Sequence, residues 1–159
     1  MYHFLTQHLD KLRNYNGVKE FVAALQSAPV FRLKKTKAGI SSKNLKILDN
    51  LTRLTSSELN YKNLRSKLQS GESPTIPFPG VFQGDLVFLD ESNKTRTEGG
   101  MINFFKLEKC TSLILELQTY QKSKYDLVSN LEIDSYVKLY VELDDDAAFN
   151  QSLICEPRV

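Results

Sequence analysis

The chain has 159 residues, 41% of them hydrophobic, enough to bury one core without disulfide or metal staples. Its 21 basic and 19 acidic residues nearly cancel, leaving +2, so neither nucleic acid nor an anionic membrane surface is expected as the main partner. Cys110 and Cys155 form no C-x-x-C pair, and no apolar run approaches the roughly 20 residues of a membrane-spanning helix.

Taken in chain order, apolar residues recur at helical spacing from the start: Phe4, Leu5, Leu9 and Leu12, then Val18, Phe21, Val22 and Leu25, then Leu45, Leu48 and Leu51. Asn14 or Asn16 is placed to cap the second of these helices and Ser41 or Ser42 the third, because a short polar side chain offers an oxygen to unpaired first-turn amides. After Ser56 and Ser57 the pattern continues through Tyr61, Leu64 and Leu68. Helices are next expected from Gly80 to Glu91 and from Met101 to Lys122, the second with Cys110, Leu113, Ile114 and Leu117 in helical register. Ile133, Tyr136, Val137 and Tyr140 predict one more, and Asp144, Asp145 and Asp146 favour a helix start near Ala147. Pro29, Pro74, Pro77, Pro79 and Pro157 all fall between periodic stretches, where a missing backbone donor breaks no helix. Period-2 alternation is scarce, so the expected class is all-α, with roughly seven helices.

The polar stretch Ser92 to Gly100 joins two of these helices. Such a connection folds them into an antiparallel hairpin over about residues 80–122, with Phe78, Phe82, Phe104 and Phe105 expected at its base.

Covalent chemistry has no candidate machinery. There is no G-x-S-x-G, no phosphate loop, and no cysteine with plausible His and acid partners. His3 and His8 are five apart, which puts them on different faces of a helix, so no metal site is expected there. The Asp144–Asp146 run lacks the alternating ligands and turn glycine of a calcium loop. Arg32, Lys34, Lys35 and Lys37 form a small basic cluster that reads first as a solvated loop and second as a meeting point for phosphate or an acidic switch region. No cofactor is expected, and any activity must work through binding.

Four stretches carry a family resemblance. PTIPFPGVFQGDLVFLDESN (Pro74–Asn93) followed by MINFFKLEKCTSLILELQTY (Met101–Tyr120) resembles the catalytic helical-hairpin region of Ras-family guanine-nucleotide exchange factors such as Son-of-sevenless. Upstream, NYNGVKEFVAALQSAPVFRLKKT (Asn14–Thr36) is similar to that family's N-x-N … S-x-P-V-x-R-L segment, and SLICEPRV (Ser152–Val159) to its closing S…EPR.

The resemblance implies an orthogonal multi-helical bundle with a protruding hairpin. It also implies a partner, a Ras-family small GTPase, whose nucleotide site the hairpin enters to promote GDP release. By the resemblance Val87 falls where the family sets an apolar residue against the metal site, and Glu91, four residues on, falls at the acidic position near the phosphates. Phe78, Phe31, Asn60, Tyr61 and Lys109 align with GTPase-contacting positions. Gly84 falls within the same contacting stretch, standing where relatives usually have Thr, and a mid-helix Gly costs about 1 kcal/mol. The family's domain normally has further N-terminal helices, so residues 1–159 are expected as a single, N-terminally shortened catalytic domain with some exposed apolar faces. A cytoplasmic location follows, with membranes met only indirectly, by recruitment to an inner face through partners. The alternative reading is a catalytically silent GTPase-binding or scaffolding module.

Overall fold

The computed structural model describes residues 2–158, with side chains from Leu5 onward. Among the described residues there are ten helices: α1 (Tyr2–Lys11), α2 (Tyr15–Gln26), α3 (Ala28–Phe31), α4 (Lys34–Ala38), α5 (Ser42–Leu54), α6 (Glu58–Leu68), α7 (Pro79–Ser92), α8 (Phe104–Thr119), α9 (Leu131–Leu139) and α10 (Asp145–Cys155). The only β pairing among them is two isolated bridges, Asn14 with Ile76 and Arg96 with Ile102. The all-α class is as expected. The excess over seven helices comes partly from the 28–38 region, where Pro29 lies in the first turn of the four-residue α3 and the five-residue α4 follows.

Short polar side chains start the longer helices. Asn14 Oδ1 accepts from Gly17 N at 2.9 Å at the head of α2, and Ser41 Oγ accepts from Asn44 N at 3.4 Å at the head of α5. Asp144 Oδ1 accepts from Ala147 N at 2.7 Å, so the acidic run begins α10 as expected. Each such cap contributes about 1 kcal/mol by satisfying an orphan amide.

The core has two parts. Val18 and Val22 of α2 meet Leu51 of α5, with Leu9 and Ile47 against them. The second part joins Tyr15, Leu64, Leu68, Val81 and Phe82, flanked by Tyr61, Phe78, Leu117 and Tyr120, and therefore seats both α7 and α8 on α2 and α6. Burial of Tyr15 pushes its phenol above the ordinary value.

Two regions depart from the sequence reading. The expected helix after Ser57 forms, but Leu59, Asn60 and Tyr61 take left-handed backbone at φ 49°, 54° and 58° before α6 becomes regular. Such residues cost about 1–2 kcal/mol each. Arg65 Nε offsets part of this by donating to Asn60 O at 2.7 Å. In α9, Ile133, Tyr136 and Val137 are helical but exposed, and the Tyr136 ring meets Tyr140 at 6.2 Å instead of a core. His8 is exposed, while the side chains of His3 and Phe4 lie outside the described residues.

Candidate functional site: the α7–α8 hairpin

Helices α7 and α8 run antiparallel. Phe82 of α7 meets Tyr120, just past α8, edge-on with ring centroids 6.2 Å apart, while at the other end Lys106 Nζ donates to Asp90 Oδ1 at 2.6 Å. Phe78 and Phe82 thus stand at the base as expected. Phe104 and Phe105 do not: they open α8 at the far end, exposed, because the chain returns from the connector there.

The connector is ordered by its own polar groups. Thr97 N donates to Met101 O at 2.8 Å, Asn103 N to Thr95 O at 3.0 Å and Arg96 Nη1 to Gly100 O at 2.8 Å. Gly100 sits at φ 77°, a conformation a side chain resists. Asn103 then caps α8 through Lys106 N, so α8 starts at Phe104 and not at Met101. Lys106 is buried, and its ammonium reaches Asp90 O and Thr95 Oγ1 as well, tying both helices to the connector.

The base is held from three sides. Arg65 of α6 forks onto Asp85 of α7, its Nη1 and Nη2 each 2.8 Å from a carboxylate oxygen, and Asn60 Nδ2 lies 3.4 Å from the same carboxylate. The Phe78 ring packs on Tyr61 with centroids 5.7 Å apart. Lys19 Nζ sits 5.6 Å from the Tyr61 ring and 5.8 Å from the Phe78 ring while donating to Thr55 O. A Cβ on Gly80 would lie 2.5 Å from the Phe78 ring, so glycine is required for that ring to fold back. The segment before α7 is pinned by Arg13, whose Nε donates to Pro74 O at 3.0 Å, and by Tyr15 N donating to Ile76 O at 2.9 Å.

Beyond the base, α7 is open to solvent. Val87 is 56% exposed and Phe88 68%. Glu91 is exposed, and no hydrogen bond or ion pair engages its carboxylate among the described residues. Gly84 also faces open space: a Cβ added there would meet nothing within 4 Å. Lys109, with its Nζ 5.6 Å from the Phe105 ring, borders a groove of about 300 Å³ between the helices, floored by Phe88, Leu89 and Leu113. Asn60, Tyr61 and Phe78 therefore gather at the hairpin base, and Gly84, Val87 and Glu91 share one helix. Phe31 stands apart on α3, exposed, under the ammonium groups of Lys34 at 3.9 Å and Lys37 at 4.5 Å.

A RasGEF domain model matches residues 3–108, two-thirds of the sequence, including α7 and the start of α8. The chain belongs to the RasGEF domain family. Among curated relatives, the RasGEF chain is similar to Ras-specific guanine nucleotide-releasing factor 2 of Mus musculus, 35% identical over 150 residues covering 93% of this chain and 12% of that protein. It is also similar to Ras guanine nucleotide exchange factor P of Dictyostelium discoideum, 36% identical over 154 residues covering 97% of this chain and 10% of that protein. The chain thus spans about an eighth or less of these relatives' lengths.

Four charged residues that support the RasGEF hairpin go unpaired in the sequence reading: Arg65, Asp85, Asp90 and Lys106. An antiparallel pairing of the two predicted helices sets the end of one beside the start of the other, so Asp90 and Lys106 carry a usable signal. Arg65 and Asp85 are 20 residues apart on separate helices and no local spacing announces them. No helix among the described residues is long and apolar enough to cross a membrane.

Proposed function

We propose that this chain promotes GDP release from a Ras-family small GTPase by inserting the outer part of α7 at the switch and magnesium site. No covalent bond is made or broken. A GTPase grips its nucleotide through magnesium, backbone amides around the phosphates and a lysine, so an apolar plug and a carboxylate are suited to compete with that grip. Val87 supplies the plug and Glu91 the carboxylate. Phe78, Gly84, Asn60, Tyr61 and Lys109 extend the contact along the hairpin, and Phe31 with its lysines adds a second patch. The protein is placed in the cytoplasm, meeting an inner membrane face through partners, as a single domain whose relatives extend well beyond it.

One observation carries the reading: a helix anchored at its base by core packing and a forked ion pair keeps Val87 and an unengaged Glu91 in solvent. A helix held for folding alone turns its apolar side chains inward. The rival reading, a silent GTPase-binding module, is favoured by Gly84, a mid-helix glycine that costs α7 about 1 kcal/mol of helix stability and offers a partner no side chain.

The test is release of a fluorescent GDP analogue from a panel of Ras-family GTPases, with and without the protein. Acceleration on at least one member, lost in Val87→Ala/Glu91→Ala with folding intact, is the expected outcome. Binding without acceleration, from folded protein, selects the silent module.

A further inference from the structure

We propose that Thr36 is a phosphoacceptor for a basic-directed protein kinase, and that its modification releases the clamp between the C-terminal end of α10 and the α3–α4 segment.

The clamp is polar and local. Arg32 Nη1 donates to Ser152 O at 2.5 Å and its Nη2 to Glu156 O at 2.6 Å. Glu156 Oε1 accepts from Thr36 N at 2.6 Å and from Thr36 Oγ1 at 2.7 Å, and its Oε2 accepts from Lys35 N at 3.2 Å. The guanidinium groups of Arg32 and Arg158 each lie 5.8 Å from the Phe149 ring. The Thr36 hydroxyl is thus a donor whose one partner is a carboxylate, and both residues lie at the surface.

The surroundings suit a kinase of this class. Thr36 is exposed, and the sequence around it reads Arg32-Leu33-Lys34-Lys35-Thr36-Lys37. Basic residues ahead of an acceptor hydroxyl are recognised by acidic substrate grooves, which reject like charge. In the transfer, Thr36 Oγ bonds to the γ-phosphorus of a nucleoside triphosphate. The bond from that phosphorus to the bridging oxygen breaks, the nucleoside diphosphate leaves, and the hydroxyl proton passes to the kinase's base.

The product cannot keep the Thr36–Glu156 part of the clamp, leaving the Arg32 bonds to the main chain of Ser152 and Glu156. A phosphate brings about −1.5 to −2 charge at pH 7 and removes the hydroxyl donor, where a carboxylate oxygen now accepts from it. Repulsion drives Glu156 away, while Lys34, Lys35 and Lys37 offer the phosphate cationic partners without α10. The C-terminal residues lose three of their hydrogen bonds to α4, and the end of α10 opens.

The full chain is incubated with Mg·ATP and a panel of purified basic-directed Ser/Thr kinases, each run in parallel on its own basic control peptide. Phosphosites are mapped by tandem mass spectrometry, and amide exchange is followed over residues 145–158. The expected result is phosphate on Thr36, absent in Thr36→Val and diminished in Lys34→Ala/Lys35→Ala, with loss of protection in α10 and none in α2 or α5. Glu156→Ala, which removes the same acceptor without phosphate, is expected to reproduce the loss of protection. No phosphate on Thr36 while the control peptides are modified overturns the proposal. So does phosphate on Thr36 with α10 protection unchanged, or unchanged protection in Glu156→Ala. None of these readouts involves a GTPase, so they stand or fall apart from the exchange reading.

Discussion

Disconnecting Asp85 from Arg65 is expected to loosen the hairpin at its root. The Asp85 and Arg65 side chains are 23% and 29% exposed, and Nη1 and Nη2 of the guanidinium each reach the carboxylate at 2.8 Å. A fully exposed pair contributes about 0–1 kcal/mol, whereas breaking a fully buried one costs about 3–5 kcal/mol. A forked pair about three-quarters buried falls between, so Asp85→Asn or Arg65→Gln is expected to cost about 1–3 kcal/mol. With a urea slope of about 1–3 kcal/mol/M, that lowers the unfolding midpoint by about 1 M. Asp85→Asn leaves Arg65 Nε on Asn60 O, so the left-handed turn keeps its latch while the link to α7 goes. The assay is urea unfolding of wild type, both single variants and the double variant. A coupling energy within about 0.5 kcal/mol of zero, as for independent sites, refutes the reasoning.

Other outcomes follow from the same packing. Leu64 is fully buried where α6 meets α7, and Leu64→Ala is expected to cost about 2–5 kcal/mol in the same urea assay. Gly84→Ala is expected to stabilise the protein by about 0.5–1 kcal/mol, since the new methyl meets open space inside a helix, and a raised unfolding midpoint checks it. The Thr36 amide, with the Thr36 hydroxyl and the Lys35 amide, holds the Glu156 carboxyl below its ordinary value of 4.5. The carboxylate's contribution is therefore fully present above pH 4.5 and is lost as pH falls through the lowered native value. NMR titration of the Thr36 amide should show a midpoint below 4.5 that vanishes in Glu156→Gln.

Much of the fold is legible because helices write their period into the sequence. Val18, Val22, Leu51, Leu64 and Leu68 stand out by spacing and all are buried. Cap chemistry narrows the starts to Asn14 or Asn16, Ser41 or Ser42, and the Asp144–Asp146 run, and of these Asn14, Ser41 and Asp144 accept first-turn amides. Periodicity fails where it has to stand for tertiary placement. The α9 residues have helical spacing and nothing among the described residues buries them, because a period says which face is apolar and never what covers it. The left-handed turn at Leu59–Tyr61 is invisible, since none of its residues is glycine and the Arg65 bond that supports it depends on three-dimensional approach. Phe104 and Phe105 are misplaced by grouping them with Phe78 and Phe82, because each pair stands near the start of its helix and antiparallel return sends the second start to the tip.

The hairpin divides its residues by the work they do. Toward the base, Val81 and Phe82 go into the core and Asp85 into an ion pair, and these stabilise the fold. Farther along the same helix, Val87 and Phe88 leave most of their apolar surface in water, forgoing much of the about 1.5–3 kcal/mol that each would contribute if buried. That burial remains available to a docking partner, and Glu91, engaged by no cation of its own chain among the described residues, is equally free to meet one on a partner. Substitutions at the base should therefore register as lowered stability, and substitutions at Val87 and Glu91 as lost nucleotide release with the unfolding midpoint unchanged. If instead Val87→Ala destabilised the isolated chain as much as Leu64→Ala does, the outer half of α7 would belong to the core and the exchange reading would lose its physical basis.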